Sequence, residues 1–346
     1  MSHKKQTLTE LAIACAKQAG LRYVLDGEQG ICRIRKGSTK FTYELNGKAI
    51  HDKKILKRIA GLAVPPAWMD VWICTDPKGH LQATGRDSKG RKQYRYHADW
   101  KAARSISKFA HILAFAEVLP QIRAQVRYDL HRATLCREKI LATVVQLLEE
   151  TLIRIGNGEY ARENKSYGLT TLENEHVWTD GATIHFHFIG KSGKEHRIQI
   201  TDKTIAPIVH RCRALPGKRV FEYAVSDGHY RPIEAEDVNA YLHAIADSPF
   251  TAKDYRTWCG TVLAAQFLAE CAAPKTEREA GRMINQAFRH VAEKLGNTAA
   301  VCRSYYVHPK VVDAFRQGTL RPASHVRAHA GWSAWESVVV SLLRGA

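Results

Sequence analysis

An arginine suited to holding a phosphate lies near the middle of the chain. Arg154 comes just before the glycine-rich segment Gly156-Asn157-Gly158, at the end of a helix predicted over residues 138–155. The apolar side chains of that helix repeat at three- and four-residue spacing, and Arg154 lies off their stripe in the last turn. The helix dipole favours an arginine there in any protein, so Arg154 alone does not establish a phosphate site.

Three later segments strengthen the case for a phosphate site. Lys191 lies on a predicted hairpin, Arg256 lies on a predicted helix, and Asn297 is followed nine residues later by Tyr306. In phosphoryl transfer, guanidinium, ammonium and amide groups can donate hydrogen bonds to the phosphate, and a phenol can act as the nucleophile. These residue types therefore indicate phosphoryl-transfer chemistry.

An antiparallel meander is predicted to carry Lys191 at a hairpin tip. Its strands, joined by tight turns, cover residues 177–179, 183–189 and 196–200. Gly190-Lys191-Ser192 is similar to part of a P-loop, but His185 stands where that motif needs its first glycine, so ATP binding is not predicted. His185 and His187 have no apparent third ligand, so a metal site is not predicted.

A capping box is predicted to begin the helix that carries the second arginine. Thr251 and Asp254 form this box, which places Lys253 and Arg256 in the first turns. The positive end of such a helix favours an anion. A further helix, over residues 277–295, leads to the asparagine and the tyrosine.

The predicted fold class is α+β. Residues 1–104 are predicted to form a small N-terminal antiparallel β-sheet domain that binds DNA, with a first helix capped by Thr7 and Glu10 and a hairpin at Asn46-Gly47. Residues 105–346 are predicted to form a larger, mainly α-helical catalytic domain that contains the three-stranded meander. Its first helices are expected over residues 106–119, 122–130 and 138–155.

A basic segment with interleaved tyrosines ends the predicted sheet domain. Over residues 85–97, Arg86 and Lys89 belong to a set of cations that can neutralise phosphates, and Gln93 can pair with adenine. Tyr94 and Tyr96 are expected to project to the same face of a strand. A solvated basic edge strand is the alternative, and the aromatic residues favour DNA binding over it.

Composition favours a polyanionic partner. The chain has 52 Lys and Arg against 34 Asp and Glu, a formal charge of +18. Its eight cysteines include no C-x-x-C pair, which predicts reduced core thiols and neither zinc nor disulfides. No apolar run is long enough to span a bilayer, so we expect a cytoplasmic, nucleoid-associated protein that does not bind membranes.

Taken in order, these motifs resemble the poxvirus-like type IB DNA topoisomerases in their bacterial form. The resemblance extends from about residue 20 to residue 310 and rests on five segments, over residues 85–96, 153–172, 188–196, 253–257 and 296–306. It implies a catalytic set of Arg154, Lys191, Arg256, Asn297 and Tyr306. It also implies DNA contacts from Gln93, Tyr94, Tyr96, Tyr160 and Lys253. Many members of the family have histidine where this chain has Asn297, and an asparagine cannot fill a role that needs a titrating group.

The resemblance implies a monomer that clamps supercoiled duplex DNA between two domains. A tyrosine oxygen would attack a phosphodiester, two arginines and the asparagine would stabilise the charge on phosphorus, and the lysine would protonate the departing 5′ oxygen. The 3′-phosphotyrosyl product conserves the bond energy, so neither ATP nor a metal cofactor is expected.

Two alternatives remain open from the residues. Tyrosine recombinases use the same chemistry, but Arg256 is followed by Thr257-Trp258 and lacks the histidine that recombinases commonly place beside that arginine. A non-catalytic DNA-binding protein would explain the charge but not five residues of catalytic type in order.

Overall fold

Alternating apolar residues in the first hundred positions build one six-stranded antiparallel sheet, which is described here from a computed structural model. The strand order is β3-β2-β1-β4-β5-β6. The strands are β1 Gly30–Arg35, β2 Phe41–Leu45, β3 Lys48–Ala49, β4 Met69–Cys74, β5 Leu81–Arg86 and β6 Lys92–Tyr96. Asn46 and Gly47, at φ 51° and 74°, form the tight turn between β2 and β3, which confirms the predicted hairpin.

Two helices accompany this sheet. Helix α1 covers Leu8–Gln18 and helix α2 covers Lys53–Gly61. Ile59 of α2 packs with Ile31, Val71 and Ile73 of the strands in a small apolar core. The structure describes residues 8–37, 40–225, 228–320, 324 and 331–345, so the predicted capping residue Thr7 lies outside it.

The rest of the chain is mainly helical around one large apolar core. Its helices are α3 Ala98–Leu130, α4 Arg137–Thr151, α5 Gly158–Asn164, α6 Ile205–Arg213, α7 Ala235–Ala246, α8 Ala252–Ala269, α9 Glu277–Leu295, α10 Ala299–Tyr305, α11 Pro309–Arg316 and α12 Ala334–Arg344. Its strands are β7 Val177–Asp180, β8 Thr183–Ile189 and β9 Glu195–Thr201, with a separate pair, β10 Glu222–Ala224 and β11 Tyr230–Pro232. The antiparallel order β7-β8-β9 confirms the predicted meander, and the α+β class is confirmed.

The chain divides into two compact units, Met1–Ala110 and His111–Ala346. The predicted boundary follows residue 104. Helix α3 continues through residue 104 and through the division after Ala110, so the predicted boundary stays a prediction. The two separate helices expected over residues 106–119 and 122–130 were wrong, because Pro120 lies inside the continuous helix α3. Leu119 and Ile122 on either side of the proline are fully buried, and this packing outweighs the local cost of proline in a helix.

The predicted end of the helix before Arg154 was also wrong. Helix α4 ends at Thr151, and Leu152 adopts the left-handed conformation at φ 55°. Arg154 therefore lies in a segment outside any helix or strand, where the Arg154 oxygen accepts from the Leu169 amide at 2.9 Å. A Cβ at Gly168 would lie 2.5 Å from that oxygen, so this pairing needs glycine there.

Candidate active site

Arg154 and Asn297 form the first contact of the site. The Arg154 Nη2 atom donates to Asn297 Oδ1 at 2.5 Å, and both terminal nitrogens of Arg154 lie 3.4 Å from the Gly296 oxygen. Gly296 ends helix α9 in the left-handed conformation at φ 60°. The turn after α9 thus brings the predicted asparagine to the first predicted arginine, although the two are far apart in sequence.

Arg256 lies in the interior of the same site and is only 4% exposed. Its guanidinium donates to the Leu152 oxygen, at the end of α4, and to the Leu295 oxygen, at the end of α9, at 2.5 Å. The carbonyl ends of two helices therefore stabilise this buried charge. Burial lowers the pKa of Arg256, and the neighbouring charge of Arg154 lowers it further.

Tyr306 completes this cluster. The Arg256 guanidinium carbon lies 5.6 Å from the centre of the Tyr306 ring, and an interaction with the Tyr306 hydroxyl opposes the fall in the pKa of Arg256. Burial also lowers the pKa of Arg154, and the nearby Tyr306 opposes that fall. The structure thus brings four of the five predicted catalytic residues together.

The cluster has more positive charge and more hydrogen-bond donors than its described neighbours neutralise or pair. In the described part of the chain, neither Arg154 nor Arg256 forms an ion pair with an acidic side chain. Asn297 Nδ2 and Arg256 Nε are buried and have no hydrogen-bond partner among the described residues. Because buried donors normally find acceptors, this arrangement suits an anionic ligand such as a phosphodiester.

Helix α8 also contacts the backbone of Tyr306. This contact was not predicted from the sequence. A Cβ at Gly260, one turn after Arg256, would lie 2.7 Å from the Tyr306 oxygen. The Thr261 hydroxyl lies 3.3 Å from that same oxygen and accepts from the His308 amide at 3.2 Å. Gly260 inside a predicted helix was the available signal, since glycine is unfavourable in a helix unless another backbone must approach it closely.

Lys191 lies on the turn between β8 and β9. The turn closes through the Gly190 amide, which donates to the Lys194 oxygen at 2.8 Å. Ser192 and Gly193 both adopt positive φ, and the Lys191 side chain is exposed. The hairpin-tip prediction is confirmed, and the structure brings Lys191 into no hydrogen bond with the other four residues across the part of the chain it describes.

Tyr160 and Lys253 are both exposed at helix starts. Tyr160 belongs to the first turn of α5, where its amide donates to Asn157 Oδ1 at 3.0 Å. Lys253 occupies the first turn of α8, one turn before Arg256, and the predicted box between Thr251 and Asp254 is present. Their exposed side chains remain predicted DNA contacts.

The basic segment of the first unit is a hairpin, not one strand. Arg86 ends β5, where its Nη1 donates to the Gly90 oxygen at 2.9 Å, and Lys89 lies exposed in the following turn. The Tyr94 and Tyr96 rings of β6 lie 5.9 Å apart and nearly parallel, which confirms that they share one face. Gln93 Nε2 donates to Asp87 Oδ2 at 3.0 Å, so one of its amide hydrogens is already engaged.

Asp87 organises this hairpin and was missed by the sequence reasoning. Its carboxylate accepts from the backbone amides of Lys89 and Arg91 as well as from Gln93. The order Asp-Ser-Lys-Gly is typical of a turn in which aspartate bonds the following backbone, which could have revealed it.

Other predictions concern groups outside the cluster. His185 stacks on Trp178 at 5.0 Å, and His187 contacts Glu195 at 2.7 Å; the described residues contain no group of metal-binding side chains. All eight cysteines are free thiols, but Cys32 is exposed, so its prediction as a core thiol was wrong. Position 32 lies on the side of β1 that faces solvent. Among the helices described, none is both long and apolar enough to cross a bilayer.

Comparison with known proteins gives matches along most of the chain. Residues 97–324 match the family described as eukaryotic DNA topoisomerase I, catalytic core, and residues 40–87 match the bacterial DNA topoisomerase IB N-terminal domain. The chain is 30% identical to DNA topoisomerase 1B of Acanthamoeba polyphaga mimivirus over 81% of its own length and 85% of that protein. It is 27% identical to DNA topoisomerase 1B of Vaccinia virus (strain Copenhagen), over 34% of its own length and 37% of that protein.

Proposed function

Because the chain belongs to the type IB DNA topoisomerase family and is an enzyme of that class, we propose that it relaxes supercoiled duplex DNA through a covalent link to Tyr306. One DNA strand is cut, the free end rotates, and the strand is rejoined. The family assignment favours this reaction over recombination between sites and over DNA binding without cleavage.

The observation that carries the proposal is the cluster of a buried arginine, Arg256, a half-buried arginine, Arg154, and an amide donor beside Tyr306. Arg154 and Arg256 have positive charge that no described acidic side chain neutralises, and Asn297 Nδ2 has no acceptor among the described residues. A phosphodiester in this place would accept these hydrogen bonds through its nonbridging oxygens. As negative charge develops in the transition state, the same donors would stabilise it.

The proposed reaction is a transesterification. The Tyr306 oxygen forms a bond to phosphorus, the bond from phosphorus to the 5′ oxygen breaks, and Lys191 gives a proton to that departing oxygen. The product is a 3′-phosphotyrosyl bond and a 5′ hydroxyl. Attack by this hydroxyl on phosphorus reverses each step, and since one phosphodiester replaces another, neither ATP nor a metal is required.

DNA binding is assigned to exposed residues in both units of the chain. The β5–β6 hairpin supplies the exposed Tyr94, Tyr96, Arg86 and Lys89 and the half-exposed Gln93, and the catalytic unit supplies Tyr160 and Lys253. In this proposal a monomer clamps the duplex between the units. Its cellular location would be the nucleoid in the cytoplasm.

Relaxation of negatively supercoiled plasmid in EDTA without ATP tests the proposal. We expect a ladder of relaxed topoisomers from the intact protein and none from Arg154→Ala, which should still retard DNA in a gel. A requirement for a nucleotide or a metal, or products joined between two plasmids, would contradict the proposed reaction.

A further inference from the structure

A histidine outside the predicted catalytic set connects the lysine hairpin to the arginine cluster. His196 is the second residue of β9 and pairs with Phe188 of β8. Its ring stacks on the Phe188 ring, with centres 4.9 Å apart and planes within 9° of parallel. Phe188 is buried, so His196 lies on the inner face of the meander, opposite the outer face that carries the half-exposed His187.

The His196 ring packs closely against two glycines. A Cβ on Gly190, the residue before Lys191, would lie 2.7 Å from the ring, and a Cβ on Gly296, the residue before Asn297, would lie 2.6 Å from it. Real side chains do not approach so closely, so the ring fills the gap between these two backbone positions. It therefore separates the base of the lysine hairpin from the turn that holds Asn297 against Arg154.

The electrostatic surroundings favour the neutral form of this ring. Burial lowers the pKa of His196, and the positive charges of Arg154, Lys194 and Arg256 lower it further. A neutral ring adds no charge to the cluster and can rest against it. These interactions also show that His196 lies within the electrostatic reach of both arginines.

We propose that His196 is a positioning residue that holds the base of the lysine hairpin against Gly296 and so sets where Lys191 meets the scissile phosphate. This inference rests on the proposed role of Lys191 as the acid for the 5′ oxygen. The exposed Lys191 side chain forms no hydrogen bond with the cluster among the described residues, so in this proposal the packing of the His196 ring at the hairpin base sets its distance from the cluster.

A sulfur substrate can detect a defect that acts through Lys191. An alkoxide needs a proton to leave, whereas a thiolate does not, because the ordinary pKa of a thiol is only about 8.5. We expect His196→Ala to slow single-turnover cleavage of ordinary DNA by about 10- to 100-fold, as a misplaced catalytic group does. On DNA with a 5′-bridging phosphorothiolate, the same variant should cleave within about threefold of the unaltered protein.

Three variants make the test specific. His187→Ala, on the outer face of the same hairpin, should cleave both substrates normally. His196→Phe fills the same gap and stacks on Phe188, so it should restore most of the rate if packing positions the hairpin. The double variant Lys191→Ala/His196→Ala should be no slower than Lys191→Ala, because His196 has nothing left to position.

Several results would overturn the inference. A normal rate for His196→Ala would show that the ring positions nothing, and an equal loss on both substrates would show that it acts on the arginine cluster. Full additivity in the double variant would also contradict it. If sulfur fails to rescue Lys191→Ala, the acid role of Lys191 is wrong, and the double variant still decides whether His196 acts through that lysine. Absence of any covalent adduct from the unaltered protein would refute the proposed function instead.

Discussion

Arg256 shows how a buried cation is kept ready for a phosphate. Its guanidinium uses one N–H of each terminal nitrogen on a helix-end carbonyl, Leu152 or Leu295, which fixes its plane. Five N–H donors are present in the fork, so others remain for a ligand. Lysine has a comparable charge but no rigid fork, so it cannot replace this residue.

We predict that Arg256→Lys cuts the single-turnover cleavage rate by about 10²–10³-fold, the loss typical for a transition-state donor. The loss should be the same with oxygen or sulfur as the leaving atom, because the nonbridging oxygens are unchanged. Arg289→Lys, the same substitution at an exposed position of α9, is the matched control and should retain the rate. Rescue of Arg256→Lys by sulfur would assign the proton to Arg256.

Asn297 bonds Arg154 through its oxygen and has its amide nitrogen free of partners in the described structure. In Asn297→His, a neutral imidazole can accept from Arg154 and still donate to a phosphate, but an imidazolium cannot accept. We therefore expect substantial activity at high pH, lost as the pH falls through the imidazole pKa, normally about 6.5. Two nearby guanidiniums would lower that pKa.

The pH–rate profile of single-turnover cleavage checks this prediction against the unaltered protein. The extra loss on the acid side should appear only in the variant. A folded Asn297→His protein that is inactive at every pH, or one that gains activity as the pH falls, would contradict a shared hydrogen-bonding role.

At the scale of elements, the sequence predicts periodic structure better than helix ends. The meander, the Asn46-Gly47 hairpin and helix Glu277–Leu295 follow from strict alternation or helical spacing and were predicted correctly. The end of α4 was not, because Ile155 continues the apolar spacing while long-range bonds to residues 169–170 take its backbone out of the helix. Helices α6 and α7 went unpredicted for lack of a clear signal between residues 201 and 250.

The contact between α8 and the Tyr306 backbone could not be predicted for a similar reason. Gly260 and Thr261 contact the tyrosine backbone from far away in sequence, and only the packing of α8 within the folded unit brings them together. The residue types that carry chemistry could be read along the chain. A small residue such as Gly260 inside a helix indicates at most that another backbone approaches closely, and it does not show which one.

Gly260→Ala tests whether the close approach of α8 positions the Tyr306 backbone. The added Cβ would need the Tyr306 backbone to move, so we predict a loss of cleavage of about 10²-fold or more, with duplex affinity unchanged. Gly281→Ala is the matched control, since a Cβ there meets nothing within 4 Å and alanine favours a helix. Equal, near-normal rates for both variants would show that the approach of α8 does not position the tyrosine.

At the scale of the whole molecule, the charge of +18 and the exposed hairpin of the first unit predict salt-sensitive binding. Lys89 lies in the β5–β6 turn, and Lys48 lies on β3 at the opposite edge of the same sheet. We expect Lys89→Ala to weaken duplex binding and to reduce the slope of log affinity against log salt by about 1, while Lys48→Ala changes neither.

Binding titrations at several salt concentrations measure this slope directly. At saturating DNA, Lys89→Ala should cleave at the normal rate, because the lysine contacts phosphates away from the reacting bond. An equal effect of both lysine variants would mean that the net charge, not the hairpin, binds the duplex.

The most direct test of the central claim is detergent trapping of the covalent adduct, with the linked residue identified by peptide mapping. Tyr306 is partly buried beside the arginines, whereas its neighbour Tyr305 is 53% exposed. We predict that the DNA is linked to Tyr306, that Tyr306→Phe forms no adduct while binding duplex within a few fold, and that Tyr305→Phe forms it normally. An adduct on Tyr305, or one that persists in Tyr306→Phe, would contradict the account.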